Sequence, residues 1–258
     1  MKMCEYKFRN GDICQEEALQ NSKYCTLHID LPDKKSEEFK RIKELKEEKV
    51  KEKISKGDFN FEGAKLLEVD FSRLIAMKSM NFVDAKIKKD VLFEEAQIAG
   101  YVLFNGARIG GYVSFCDAVI WSQAFFIESK IRGDTYFDRA RMYGDVCFDK
   151  AIIGERISFE RAIIDISILF RGAKIRAAFF QNTKIGGYVS FTEAKIGGLC
   201  LFTNTEVGGD VLFNRALIGI VSFYKAKIDG NVSFDEAKIR TNFKSEIIEL
   251  TEIRDFLT

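Results

Sequence analysis

Residues 93–103 read Phe93-Glu94-Glu95-Ala96-Gln97-Ile98-Ala99-Gly100-Tyr101-Val102-Leu103, and Phe104 then begins the same phrase again. The pattern F-x-x-A-x-I-x-G-x-V-x extends in both directions from this stretch. Phe71, Phe82, Phe93, Phe104, Phe115, Phe126, Phe137, Phe148, Phe159 and Phe170 stand 11 residues apart. One-residue deletions place Phe180 and Phe223, while Phe191, Phe202, Phe213 and Phe234 restore the interval. A unit this short can bury its apolar side only against its neighbours, so the repeat predicts a solenoid.

Within each unit the apolar Ala, Ile, Val and Phe fall two apart over short stretches, which is the period of a strand. From Phe93 to Ala96 the step is three and from Ile98 to Val102 it is four, so the alternation resets twice per unit, as it does where a chain turns a corner. Each unit therefore supplies two short faces, and two units, about 22 residues, close one coil. Coils stacked at roughly 4.8 Å place side chains 22 apart directly above one another. Ile87, Ile109, Ile131, Ile153 and Ile175 form one such internal ladder, with Ala where the interior is narrow.

Ala96 and Ile98, then Val102 and Phe104, resemble the pentapeptide-repeat family, whose unit carries a small residue two positions before a central Leu or Phe. The resemblance covers residues 57–240 and implies an all-β solenoid, a right-handed quadrilateral β-helix. The chain inserts one residue in alternate pentapeptides, where Gly100, Gly111, Gly133, Gly144, Gly187, Gly198, Gly209 and Gly230 sit. Glycine tolerates positive φ, which predicts a wider corner there. A triangular β-helix is the alternative geometry. Some members of the family imitate duplex DNA with an acidic rod, but Gly57 to Arg240 carries 24 cationic and 23 anionic side chains, a balance that excludes such mimicry.

Composition is that of an ordinary soluble chain, 47% hydrophobic and 31% charged. The start Met1-Lys2-Met3-Cys4-Glu5 has no apolar signal core, and no apolar run is long enough to span a bilayer. A cytoplasmic protein without membrane contact is expected.

Ahead of the repeats, Cys4, Cys14, Cys25 and His28 are spaced C-x9-C-x10-C-x2-H, and His28 is the only histidine. Three thiolates and an imidazole match the tetrahedral preference of structural Zn2+, and four protein ligands leave no open position for catalysis. Residues 1–32 thus form a zinc-binding module too small to be stable without its metal. The spacing and the stretch Ser22-Lys23-Tyr24-Cys25-Thr26-Leu27-His28 are similar to the plant WRC domain, a zinc module of transcription factors. That resemblance implies the same four ligands, but the basic tail of the family is missing after His28, where Ile29-Asp30-Leu31-Pro32-Asp33 follows.

Residues 33–56 predict an amphipathic connecting helix, with Phe39, Ile42, Leu45, Val50 and Ile54 broadly along one side, Ser36 at its start, and interleaved Lys and Glu on a solvated face. Its expected role is to shield the first coil's strand edges. Residues 241–258 predict a C-terminal capping segment. Cys116, Cys147 and Cys200 belong to the repeats, at positions that share no ligand geometry, as expected of a reducing compartment.

Read at 22-residue spacing, the outer skin shows an apolar column, Leu103, Phe125, Cys147 and Leu169, and an aromatic pair, Trp121 and Tyr143. Such a strip predicts a protein partner or a homodimer; side-chain stacking beneath the N-terminal helix is the equally weighted alternative. A third column reads Lys86, Arg108, Lys130, Ile152, Lys174, Lys195, Leu217 and Lys238. This basic stripe could hold a polyanion such as nucleic acid. Corner acids Glu94, Glu95, Asp138, Asp149, Glu160 and Asp235 make ion-paired solvation the favoured expectation. Catalysis lacks parts, since the one histidine is assigned to the metal and the glycines follow the solenoid period. The preferred reading is a non-enzymatic scaffold; the alternative is a nucleic-acid-associated protein using the stripe and the zinc module.

Overall fold

The computed structural model describes residues 2–239, so the capping segment expected at 241–258 lies outside the described residues. Each F-x-x-A phrase is a β-turn: Ala96 N donates to Phe93 O at 3.1 Å, and Ala85 N to Phe82 O at 3.1 Å. The residue two after the phenylalanine adopts left-handed φ, for example Arg73 at 61°, Glu95 at 57° and Lys150 at 57°, as a type II turn requires. Glycine takes this place at Gly63, Gly106 and Gly172, with φ of 66°, 68° and 65°.

Between turns lie short strands, and their parallel pairing defines four faces per coil. Face 1 contains Lys65–Leu66, Lys86–Ile87, Arg108–Ile109 and Lys130–Ile131. Face 2 contains Val69–Asp70, Val91–Leu92, Val113–Ser114 and Thr135–Tyr136. Face 3 contains Ile75–Ala76, Gln97–Ile98, Val119–Ile120 and Arg141–Met142, and face 4 contains Met80–Asn81, Val102–Leu103, Ala124–Phe125 and Val146–Cys147. The cross-section is four-sided rather than triangular, and the molecule makes about 8 turns at ~22 residues per coil. Faces 1 and 2 merge into one 13-stranded sheet because Ile152–Ser158, Lys174–Phe179, Lys195–Leu201 and Leu217–Ser222 run as continuous strands through their shared corner. Both one-residue deletions fall in that corner, at Lys174–Phe179 and Leu217–Ser222, and the pairing shifts register there.

The 11-residue interval is the signature of two phenylalanine columns inside the rod. Phe82, Phe104 and Phe126 stack nearly parallel, with centroids 4.8 and 5.2 Å apart and planes within 2°. Phe93 and Phe115 stack likewise at 4.8 Å, and the two columns meet edge to face, as at Phe93–Phe104, 6.2 Å and 85°. Both geometries suit the aromatic quadrupole.

The corner glycines play a different part from the one expected. None of the eight takes positive φ. A Cβ on Gly133 would instead lie 2.8 Å from Gly111 O, and one on Gly144 would lie 2.7 Å from Gln123 N. The constraint is close approach between stacked corners.

Helix α1 (Glu37–Ser55) starts at Ser36, whose side chain accepts from Phe39 N, and carries Glu37 and Glu38 in its first turn. Ile42 packs with Leu31 and Leu67, and Val50 and Ile54 reach the core. The helix caps the first coil jointly with the chain before it: Lys65 N donates to Leu27 O at 2.8 Å, which satisfies an edge group of the first strand of face 1. Among the described residues no helix is long and apolar enough to cross a membrane.

Candidate functional site

The four residues singled out as ligands converge. Cys4 and Cys14 sit on the two arms of a hairpin-like loop held by antiparallel bridges at Met3–Glu17 and Lys7–Ile13, where Cys4 N donates to Glu16 O and Cys14 N to Tyr6 O. Cys25 opens a single helical turn in which His28 N donates to Cys25 O at 3.1 Å, so the x2 spacing brings both side chains to one side. All four side chains are buried, and their ligand atoms lie within 4.8 Å of one another. Individual separations are 3.3 Å for Cys25 Sγ to His28 Nδ1, 3.5 Å for Cys4 Sγ to His28 Nδ1, and 4.0 Å for Cys14 Sγ to Cys25 Sγ. A tetrahedral ion with bonds of about 2.0 to 2.3 Å has ligand edges of roughly 3.5 to 3.8 Å, so the cluster fits one.

Glu62 fixes the imidazole from the solenoid side. His28 Nε2 lies 2.9 Å from Glu62 O, and a carbonyl only accepts, so Nε2 carries the proton and Nδ1 keeps its lone pair toward the sulfurs. Tyr6 stacks on the ring at 3.9 Å and 17°, and Phe8 meets it edge-on at 5.9 Å. Burial pushes the Cys14 thiol up to about 12, raises Cys25 as well, and lowers His28. Thiolates become tenable here when a divalent cation lies among them.

The cluster is built into the end of the rod. Arg9 grips Asp84 with two hydrogen bonds of 2.8 and 3.0 Å, its backbone N–H donates to Glu62 at 2.6 Å, and Lys65 pairs with Asp30 at 2.8 Å. Lys46 on α1 is the residue whose role sequence reasoning missed. Expected on a solvated face, it is only 3% exposed and donates to Thr26 O, Leu27 O and Ile29 O at 2.6, 3.2 and 2.8 Å. Burial pulls its amine down to about 7, while the three carbonyl acceptors favour the ammonium.

Residues 191–238 match a family model described as pentapeptide repeats (9 copies). The rod is a pentapeptide-repeat β-solenoid. No curated protein matches the chain.

The outer surface of this pentapeptide-repeat solenoid departs from the expected apolar strip. Leu103, Phe125 and Leu169 are half-buried on face 4, in register with one another, and Cys147 between them is buried. Trp121 and Tyr143, at the corner after face 3, are 47% and 38% exposed and stack at 6.2 Å and 3°. Arg141 lies 4.6 Å from the Tyr143 ring. The same corner and face 3 expose Ile75, Met77, Tyr101, Ile163 and Ile166, which sequence reasoning passed over. Met77 lies in the same 22-residue column as Trp121, and that spacing was the available signal.

The basic column is also corrected. Lys86, Arg108, Lys130, Lys174 and Lys195 stand in register on the outside of face 1, with Lys238 at its end, but the corner acids do not neutralise them. Glu95 pairs with Arg73 at 3.2 Å, Asp149 with Arg171, and Glu160 with Arg161 at 3.8 Å, while Asp138 accepts from Ser158 and Glu94 from Ser114. Among the described residues none of the six cations has a carboxylate within 4.0 Å.

Proposed function

We propose that the chain is a non-enzymatic scaffold: a rigid pentapeptide-repeat rod whose Cys4–Cys14–Cys25–His28 cluster holds one structural zinc ion and thereby locks the N-terminal cap. The observation that carries the metal half is His28, whose Nδ1 faces three sulfurs while Nε2 is tied to Glu62 O. Three sulfurs and one nitrogen with no further acceptor favour zinc over harder cations. The likeness of the spacing to the WRC domain supports the same four ligands. The metal supplies folding free energy to a module whose own apolar core is small; the residues around it supply orientation.

The scaffold half rests on the corner after face 3. Exposed, stacked Trp121 and Tyr143, joined by Met77, Ile75 and Tyr101, present aromatic and aliphatic area on a rigid frame, the composition of an interface anchor. The occupant we favour is a protein, including a second copy of the chain. Trp121→Ala with Tyr143→Ala is expected to leave thermal stability nearly unchanged and to abolish partner retention or self-association in sedimentation and pull-down measurements. Unchanged mass and unchanged partners in both would reject the corner as the interface.

A further inference from the structure

On the opposite side of the rod, face 1 carries a feature that the scaffold reading does not use. Lys86, Arg108 and Lys130 occupy consecutive coils, Arg132 follows at the corner, and Lys174 and Lys195 continue the line. From Lys86 to Lys195 the line spans five coil steps, roughly 24 Å at the spacing of neighbouring strands. Like charges this close repel unless they meet counter-charge, and the flanking corners do not supply it. Glu128 is paired with Lys150 at 3.7 Å, Asp149 with Arg171 at 2.8 Å, Asp134 with Arg156 at 3.4 Å and Glu155 with Arg176 at 2.5 Å. These acids are paired with Lys150, Arg171, Arg156 and Arg176, and the strip keeps its charge.

The strip also has shape. A groove of about 480 Å³ opens along Arg108, Lys130, Arg132 and Ile152. Gly110 and Gly154 occupy the coils on either side of Arg132; a Cβ at either would press on the carbonyl of the coil beneath, so Arg132 stands between two positions that carry no side chain. Ile152, 37% exposed, interrupts the cations with an apolar surface.

We infer that face 1 is a binding track for the phosphodiester backbone of a single-stranded nucleic acid, with Lys86, Arg108, Lys130, Arg132 and Lys174 as its phosphate contacts. A straight line of charges follows a flexible single strand along its length, whereas the backbone of a duplex winds away from it after a few phosphates. The near-neutral overall charge confines the attraction to this face. This track is independent of the apolar corner on the other side, so either assignment can fail alone.

The test uses the full-length chain and a fluorescein-labelled single-stranded DNA homopolymer, followed by anisotropy across a salt titration. Binding at low salt is expected, with log affinity falling against log salt at a slope of about −0.7 per phosphate neutralised, hence about −3.5 for the five contacts. Arg108→Glu with Lys130→Glu is expected to weaken binding more than about tenfold and to flatten the slope by about one per charge reversed. Arg108→Gln with Lys130→Gln should give a smaller loss in the same direction, and circular dichroism should show the coil intact in both. Lys184→Glu with Lys227→Glu, on face 3, should change little. The assignment is overturned by no binding at low salt, by an equal loss in the face 3 variant, by a duplex of the same length binding as tightly, or by retention on phosphatidylserine vesicles without retention of the strand.

Discussion

Ser129 occupies a column that alanine holds at Ala85, Ala107, Ala151 and Ala173, and its fully buried hydroxyl finds no partner among the described residues. Thr135, in a column that valine holds at Val69, Val91 and Val113, is buried with a hydroxyl equally unpaired among the described residues. A buried polar atom left unsatisfied costs about 1–3 kcal/mol. Ser129→Ala and Thr135→Val are therefore each expected to raise stability by about 1 kcal/mol, or Tm by about 2–4 °C; a loss in either melting curve would show that the hydroxyl is satisfied. Gly133→Ala is expected to cost about 1–3 kcal/mol through overpacking against Gly111. Gly172→Ala would meet only Lys150 Cγ, at 3.6 Å, and has left-handed φ to overcome, so it should cost about 1 kcal/mol, and the reverse order of the two would refute the close-approach account. The phenylalanine interval was legible in the sequence because one bulky ring per half-coil is an absolute packing demand. Left-handed φ two residues after each ring was not, because Arg, Glu, Asp, Lys and Asn fill that position at most turns and glycine marks it only at Gly63, Gly106 and Gly172.

At the scale of elements, α1 announced itself through Ser36 and the spacing of Ile42, Val50 and Ile54, yet its most consequential side chain did not. Lys46 sits among glutamates and lysines in sequence, and only the folded module shows that Thr26, Leu27 and Ile29 aim their carbonyls at it. Lys46→Met keeps most of the apolar stem and removes the ammonium that makes all three hydrogen bonds. It is expected to cost about 2–3 kcal/mol and to lower hydrogen-exchange protection across α1 before the coils are affected. Unaltered protection of the α1 amides would mean that apolar packing of Ile42 and Val50 alone holds the helix. Four faces instead of three could not be read from period alone, since both shapes share the alternation; the four parallel ladders that start at Lys65–Leu66, Val69–Asp70, Ile75–Ala76 and Met80–Asn81 decide it.

For the whole molecule, each mid-rod coil packs against the coils above and below, so stability is a sum of neighbour terms and failure starts where a term is weakest. Phe137→Ala, in mid-rod, removes a ring that stacks on Phe115 and Phe159 at 5.0 Å each and is expected to cost about 3–5 kcal/mol without altering the cap. The Cys and His positions were legible because a lone histidine beside regularly spaced cysteines has few other uses. The partner of His28 was not, since Glu62 O is a backbone atom of the first coil and carries no sequence signal. Through that bond the Cys–His cluster and the rod share one folding unit at the N-terminal end. The direct measurement is the intact mass of the full-length chain under native conditions. The account predicts one zinc ion per chain in the native sequence and none in Cys14→Ser, whereas a metal-free native mass after exposure to zinc would contradict it.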